Sequence, residues 1–300
     1  MKDSPTLIVL AAGMGTRYGG LKQIAPVDAA GNAILDYSVF DAARAGFGKV
    51  VFVIRRDIEQ ALKERIGSKF QSHIDVAYAF QQLEALPAGF TVPAGRTKPW
   101  GTLQATLVGA EQVDGTFAVI NADDFYGAES YRVLAQHLLR DTPQGAMVGF
   151  RLRNTLSDFG AVSRGVCKVG KDDLLVGVKE SKKIERKGTG AANVEEDGSL
   201  TELSGDELVS MNMWGFTIAV IPQLQAAFQT FLQQHGSELT AESYLPQAMN
   251  TLVSAGSYQV RVLHTSDAWC GMTYPEDHDF VVAHIASLTH AGNYPETLWP

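Results

Sequence analysis

Cysteine is scarce: Cys167 and Cys270 are the only two among 300 residues. Two thiols cannot build a disulfide framework or a cysteine-rich zinc site. Reduced side chains in a cytoplasmic protein are the simplest reading. Positive charge is in deficit too, with 25 Lys and Arg against 33 Asp and Glu, a net charge of −8. That balance excludes broad binding to nucleic acid or to an anionic membrane, both of which need basic surface. It leaves small phosphorylated ligands open, because a few placed cations suffice for those. No apolar run approaches the roughly 20 residues that span a bilayer. The opening Leu7 to Ala12 has the flavour of a signal peptide, but it is short and runs at once into Gly13-Met14-Gly15-Thr16-Arg17, so that reading is rejected. There is no internal repeat, low-complexity tract or long linker. What remains is 45% hydrophobic and 19% charged, enough apolar material for one large α/β domain or two smaller ones.

Apolar periodicity predicts strands at Thr6 to Ala11, Val50 to Ile54, Val76 to Phe80 and Phe117 to Ala122. Helices are expected at Ile34 to Ala45, where Gly46 follows as a stop, and at Ile58 to Phe70, Thr102 to Gln112 and Ser130 to Leu139. Strands alternating with helices at this spacing imply an α/β fold with a doubly wound, mostly parallel sheet. From about Gly145 to Gly215 the pattern changes to short strands rich in glycine and charge, as in an antiparallel insertion. Within it, Lys179 to Gly190 is a basic stretch expected to form a loop or hairpin over a site. Helices are expected again at Gln223 to Gln234, Ala241 to Ala255 and Glu276 to Leu288, with a strand at Tyr258 to His264.

The first strand ends in Leu10-Ala11-Ala12-Gly13-Met14-Gly15-Thr16-Arg17, and Lys22 follows five residues after Arg17. Small residues after a strand let a ligand approach the backbone, and backbone N–H groups there can cradle phosphate oxygens. Arg17 can grip a phosphate with two hydrogen bonds, and Lys22 can follow charge that builds on a leaving oxygen. A dinucleotide-binding fingerprint would want a third glycine where Tyr18 stands, and a Walker loop would want Gly-Lys-Ser/Thr. Neither is present.

The run LAAGMGTRYGGLKQIAPV resembles the signature of the nucleotidyltransferases that include the sugar-1-phosphate nucleotidylyltransferases. The resemblance implies a Rossmann-like core with an inserted antiparallel acceptor-binding subdomain. Residues 1–145 would form the nucleotide-binding core, 146–220 the insertion and 221–300 a part completing the core. It also implies transfer from an NTP to a phosphorylated small-molecule acceptor, giving an NDP-sugar and pyrophosphate with Mg²⁺. Leu10 to Thr16 would hold the nucleotide, and Arg17 and Lys22 would be the catalytic cations.

Two further segments extend the match. Gln81 closes the third strand, and Gly101 and Thr102 open a helix. In the resembling enzymes such a glutamine meets a pyrimidine edge, and an amide that both donates and accepts suits uracil or thymine. The NTP would then be UTP, dTTP or CTP. Asn121-Ala122-Asp123-Asp124 follows the fourth strand, at the sheet edge where α/β folds bind ligands. Asp123 matches the family's metal ligand and would be catalytic; Asp124, its neighbour, is assigned to substrate. Mg²⁺ takes hard oxygen ligands and needs only one or two protein carboxylates. Two adjacent acids could instead cap the next helix. The family's second carboxylate would fall where Gly271 stands; the ending Thr273-Tyr274-Pro275-Glu276-Asp277 instead resembles the cytidylyltransferase branch, a resemblance that implies Asp277 as the second metal ligand, with Asp267 and Glu276 behind it. An acid there could also simply complement a helix dipole.

In the insertion, Val178-Lys179-Glu180 resembles the family's Glu-Lys-Pro segment. Glu180 could accept from sugar hydroxyls, Lys179 or Lys183 could meet the acceptor phosphate, and Asn212 is a polar contact. Trp214 and Phe216 are expected in the core. His278, His284 and His290 recur every six residues and are set aside as surface or boundary histidines. A cytidylyltransferase acting on a polyol phosphate or phosphocholine, and a catalytically silent nucleotide-sensing subunit, remain as alternatives.

Overall fold

The computed structural model describes residues 4–13, 24–66, 69–140, 142–195, 197–272 and 274–299. In chain order the first half runs β1 (Thr6–Leu10), α1 (Ile34–Ala45), β2 (Lys49–Ile54), α2 (Glu59–Ile66), β3 (Asp75–Phe80), α3 (Thr102–Ala110), β4 (Phe117–Asn121), β5 (Asp124–Phe125) and α4 (Ala128–Leu138). The second half adds β6 (Gly145–Arg151), β7 (Val162–Val169), β8 (Leu175–Lys187), β9 (Gly190–Val194), β10 (Leu200–Leu203), β11 (Leu208–Phe216), α5 (Ile221–His235), α6 (Leu245–Ser254), β12 (Val260–His264), β13 (Cys270–Gly271) and α7 (Asp277–His290).

Strands β3, β2, β1 and β4 lie side by side and parallel. Beyond β4 come β11, antiparallel to it, then β6, and then β12 parallel to β6. The core strands read as continuous apolar runs because both faces are covered. Leu7 and Val9 face one cluster with Leu35, Val39 and Leu134 of α1 and α4. Ile8, Val51 and Val53 face the other, with Leu103, Leu224 and Leu245 of α3, α5 and α6. A buried side chain of this size contributes about 1.5–3 kcal/mol, so two such layers hold the strand ends rigidly. As expected from the sequence, α1 ends at Gly46, whose left-handed φ of 99° lets its N–H donate back to Ala42 and Ala43.

Strand β11 forks. Its end, Trp214–Phe216, pairs with β4, while Val209 and Ser210 pair with β7. The register shifts between Ser210 and Trp214, and Asn212 there has φ +61°. This bulge turns the strand out of the main sheet into the antiparallel arm β7–β8–β9–β10. The basic stretch predicted as a loop or hairpin is the end of β8 and its hairpin to β9, with Lys187 opposite Gly190. The helix expected from Ala241 begins only at Leu245. Pro246 sits in its first turn, a position proline favours, and Ala241 is held instead by its carbonyl, which accepts from buried Arg96.

The chain end packs on α1, where Tyr294 donates to Asp41 Oδ2 at 2.6 Å and Arg44 reaches Oδ1 at 3.2 Å. Burial raises the Asp41 carboxyl to about 7, against the opposing pull of Tyr294 and Arg44. Folding therefore takes up a proton between about pH 4 and 7, and stability falls as pH rises through that window. Asp41→Asn is expected to flatten that fall, measured as melting temperature against pH. An unchanged slope would contradict it.

Candidate active site

The end of β1 is fixed between its neighbours: Ala11 donates to Val53 O at 2.9 Å, and Ala122 donates to Leu10 O at 3.2 Å. Arg55 donates to Ala12 O at 3.2 Å. The segment opens on a cavity of about 420 Å³ lined by Leu10, Ala12, Gly13, Gln81, Gly101 and Thr102. Ala11 lies buried beneath them. Sequence reasoning placed these residues at one nucleotide site, and the fold brings them together. Met14, Gly15, Thr16, Arg17 and Lys22 lie outside the described residues.

Gly101 is required by its surroundings. Its φ is +94°, and a Cβ there would lie 2.4 Å from Ser243 O. Ser243 also receives the Leu103 N–H and donates its own N–H to Trp100 O, pinning the start of α3. Gln81 departs from the sequence expectation. Its amide does not both donate and accept toward a ligand, because both N–H groups are engaged internally, to Gly101 O and to Gln104 Oε1, each at 3.0 Å.

A second cavity of about 550 Å³ adjoins the first and is lined by Asp123, Asp124, Glu180, Asn212, Arg164 and Lys182, among others. Thr102, Asn121 and Asp123 line both cavities, so half-buried Asp123 stands where the two meet. Asn121 ties the floor together: it accepts from Asn212 Nδ2 at 2.7 Å and donates to Asp124 Oδ2 at 2.9 Å. Asn212 is only 8% exposed, and its Oδ1 has no hydrogen-bond partner among the described residues. A buried carbonyl left so is costly and fits a donor supplied by a ligand.

The arm supplies the opposite wall. Glu180 accepts from Ser163 Oγ. Arg164, which sequence reasoning missed, is 7% exposed, donates to Ser163 O and Thr155 Oγ1, and lies 4.9 Å from the Trp269 ring. Burial pushes its guanidinium down to about 10, while Asp124, Glu180 and Asp277 pull it up. Two sequence-predicted residues do not reach this cavity. Lys183 is exposed on β8, and Lys182 lines the wall instead. Asp277 lines a neighbouring cavity behind Arg164 and Trp269. Both its oxygens are engaged, by Ser157 Oγ at 3.0 Å and Tyr274 N at 2.7 Å.

The position sequence reasoning flagged for a second acid is filled differently. Gly271 pairs with Asp124 across β13 and β5, and a Cβ on Gly271 would fall 2.5 Å from Asp124 Oδ1. The Asp124 carboxylate occupies the space that a side chain at position 271 would need. Burial raises the Cys167 thiol to about 12 and the Cys270 thiol further. Trp214 and Phe216 are core residues, stacked and fully buried. His278 Nε2 donates to Pro26 O at 2.9 Å, and His284 packs edge-on against Phe125.

Residues 6–184, more than half of the protein, match the family described as nucleotidyl transferase. The chain belongs to that family. As a nucleotidyltransferase it uses an NTP and a phosphorylated acceptor. Among solved structures it is similar to the inositol-1-phosphate CTP transferase from T. maritima, at 13% sequence identity and a TM-score of 0.63. The match covers 95% of this chain and 96% of that one, so the two share a fold from end to end. No curated protein matches in sequence. Among the described residues no helix is long and apolar enough to cross a membrane.

Proposed function

We propose that this nucleotidyltransferase joins a pyrimidine NTP to a sugar-1-phosphate, releasing pyrophosphate and an NDP-sugar. The observation that carries the reading is the position of Asp123 on both cavities, with the nucleotide residues on one side and Glu180 and Asn212 on the other. An acceptor with hydroxyls and one phosphate matches the second cavity. Asn212 Oδ1 and Glu180 accept from hydroxyls, and Arg164 and Lys182 are the cations on the same wall.

An acceptor phosphate oxygen attacks the α-phosphorus in line. The new bond is O–Pα, and the bond from Pα to the bridging oxygen of the β-phosphate breaks, its electron pair leaving with pyrophosphate. A phosphate monoester is already anionic at neutral pH and needs no general base. Catalysis is then positioning and charge stabilisation, to which Arg17 and Lys22 contribute from the loop. Asp123 and Asp124 fit a hard divalent cation, since two carboxylates and phosphate oxygens suffice for Mg²⁺. Such an ion would neutralise charge on the α-phosphate and the departing pyrophosphate.

The end-to-end fold similarity to an inositol-1-phosphate CTP transferase supports a second reading, in which the acceptor is a polyol phosphate. The hydroxyl and phosphate contacts would be of the same kind. A pyrophosphate-release screen separates the two: four NTPs against sugar-1-phosphates, inositol-1-phosphate, other polyol phosphates and phosphocholine. The sugar reading requires the fastest turnover with a sugar-1-phosphate. Faster turnover of a polyol phosphate or phosphocholine would replace it.

A further inference from the structure

Gln81 is held by a lock one layer deeper. Gln104 on α3 is 1% exposed, and its Nε2 donates to two backbone carbonyls, Gln82 O at 2.8 Å and Ala85 O at 3.0 Å. An amide nitrogen facing two carbonyls cannot turn round, because its oxygen would then meet two acceptors. Gln104 Oε1 is thereby fixed toward Gln81 and takes one hydrogen of Gln81 Nε2, while Gly101 O takes the other. Gln81, 9% exposed, is left with its Oε1 accepting no hydrogen bond among the described residues, on the wall of the nucleotide cavity. Toward a ligand, Gln81 is therefore an acceptor only.

Cytosine and uracil are opposite in hydrogen-bond sense along the edge such a group would meet. Cytosine donates from its 4-amino group and accepts at N3; uracil accepts at O4 and donates from N3. A glutamine free to turn over could serve either base, whereas a locked one serves one and opposes the other at any given position. We infer that Gln104 is a positioning residue that fixes Gln81 as an acceptor and thereby makes the nucleotide site choose between cytosine and uracil. The inference rests on the proposed pyrimidine site and specifies its selectivity.

The test is calorimetric titration of the full chain with CTP and with UTP, each with Mg²⁺ and without acceptor, in the unaltered protein and in Gln104→Met. The unaltered protein is expected to bind one nucleotide at least about tenfold more tightly, since a buried acceptor facing an acceptor is left unpaired. Gln104→Met fills similar volume but releases one of the two bonds holding the Gln81 amide. The ratio of the two affinities should narrow at least about threefold, as expected for one hydrogen bond. A purely structural Gln104 would weaken both nucleotides together and leave the ratio unchanged, which overturns the inference. Equal affinity for CTP and UTP in the unaltered protein overturns it without any variant. Binding of neither nucleotide overturns it together with the pyrimidine-site reading, and because no acceptor is present, an error in the acceptor class does not enter.

Discussion

Asp123→Asn is expected to lower turnover at least about a hundredfold, the usual size of a lost electrostatic contribution at a reacting phosphorus. The substitution preserves shape and volume, so the two cavities should stay intact. What it removes is the negative charge at their junction, the place where a divalent cation would have to sit to reach both substrates. Asp124 cannot fully replace it, because its Oδ2 is already bonded by Asn121 and Tyr126. Steady-state pyrophosphate release measures the effect. Turnover within a fewfold of the unaltered protein, or near-normal turnover in excess EDTA, would contradict the assignment of this carboxylate to a metal.

A loss of similar size is expected from Lys22→Ala, and it should fall mainly on kcat. If the ammonium meets charge that develops as pyrophosphate departs, its removal weakens the transition state more than the bound nucleotide. The expected pattern is kcat down about a hundredfold with a smaller change in the KM for NTP. A change confined to KM would make Lys22 a ground-state phosphate anchor. The basis for this prediction is the loop sequence from Gly13 to Lys22, since Lys22 lies outside the described residues.

The parts of the fold legible in the sequence are those set by local pattern. β1, β2 and β4 are apolar runs, α1 carries its own stop at Gly46, and the loop after β1 is a contiguous motif. Gln81, Gly101 and Asp123 were legible too, because they lie at the end of β3, the start of α3 and the end of β4, which the sheet brings to one edge. What was not legible depends on long-range geometry. Arg164 is one polar residue in a strand pattern; it is buried because Trp269, far away in sequence, and Thr155, nine residues earlier, lie against it. The exchange of Lys183 for Lys182 follows from a bulge. Val162 pairs with Ile184 but Arg164 with Ser181, so β8 carries one more residue than β7 there, and the alternation of faces breaks. Asp277 lines a neighbouring cavity with both oxygens bonded, while Asp124 faces Gly271 across β5 and β13, a pairing of two residues each that is too short to leave a periodic signal. The lock on Gln81 was invisible for a related reason: Gln104 falls on a helix, where its spacing from Gln81 says nothing of which way either amide faces.

In the proposed reaction an acceptor phosphate oxygen becomes bonded to the α-phosphorus at the junction of the two cavities. That step is tested most directly by isotope tracing. The acceptor of highest turnover is prepared with ¹⁸O at the non-bridging oxygens of its phosphate, and the products are separated for mass spectrometry. All the label is expected to stay in the nucleotide-linked product, and the pyrophosphate to carry none. Label in the pyrophosphate, or an unlabelled nucleotide product, would contradict that step.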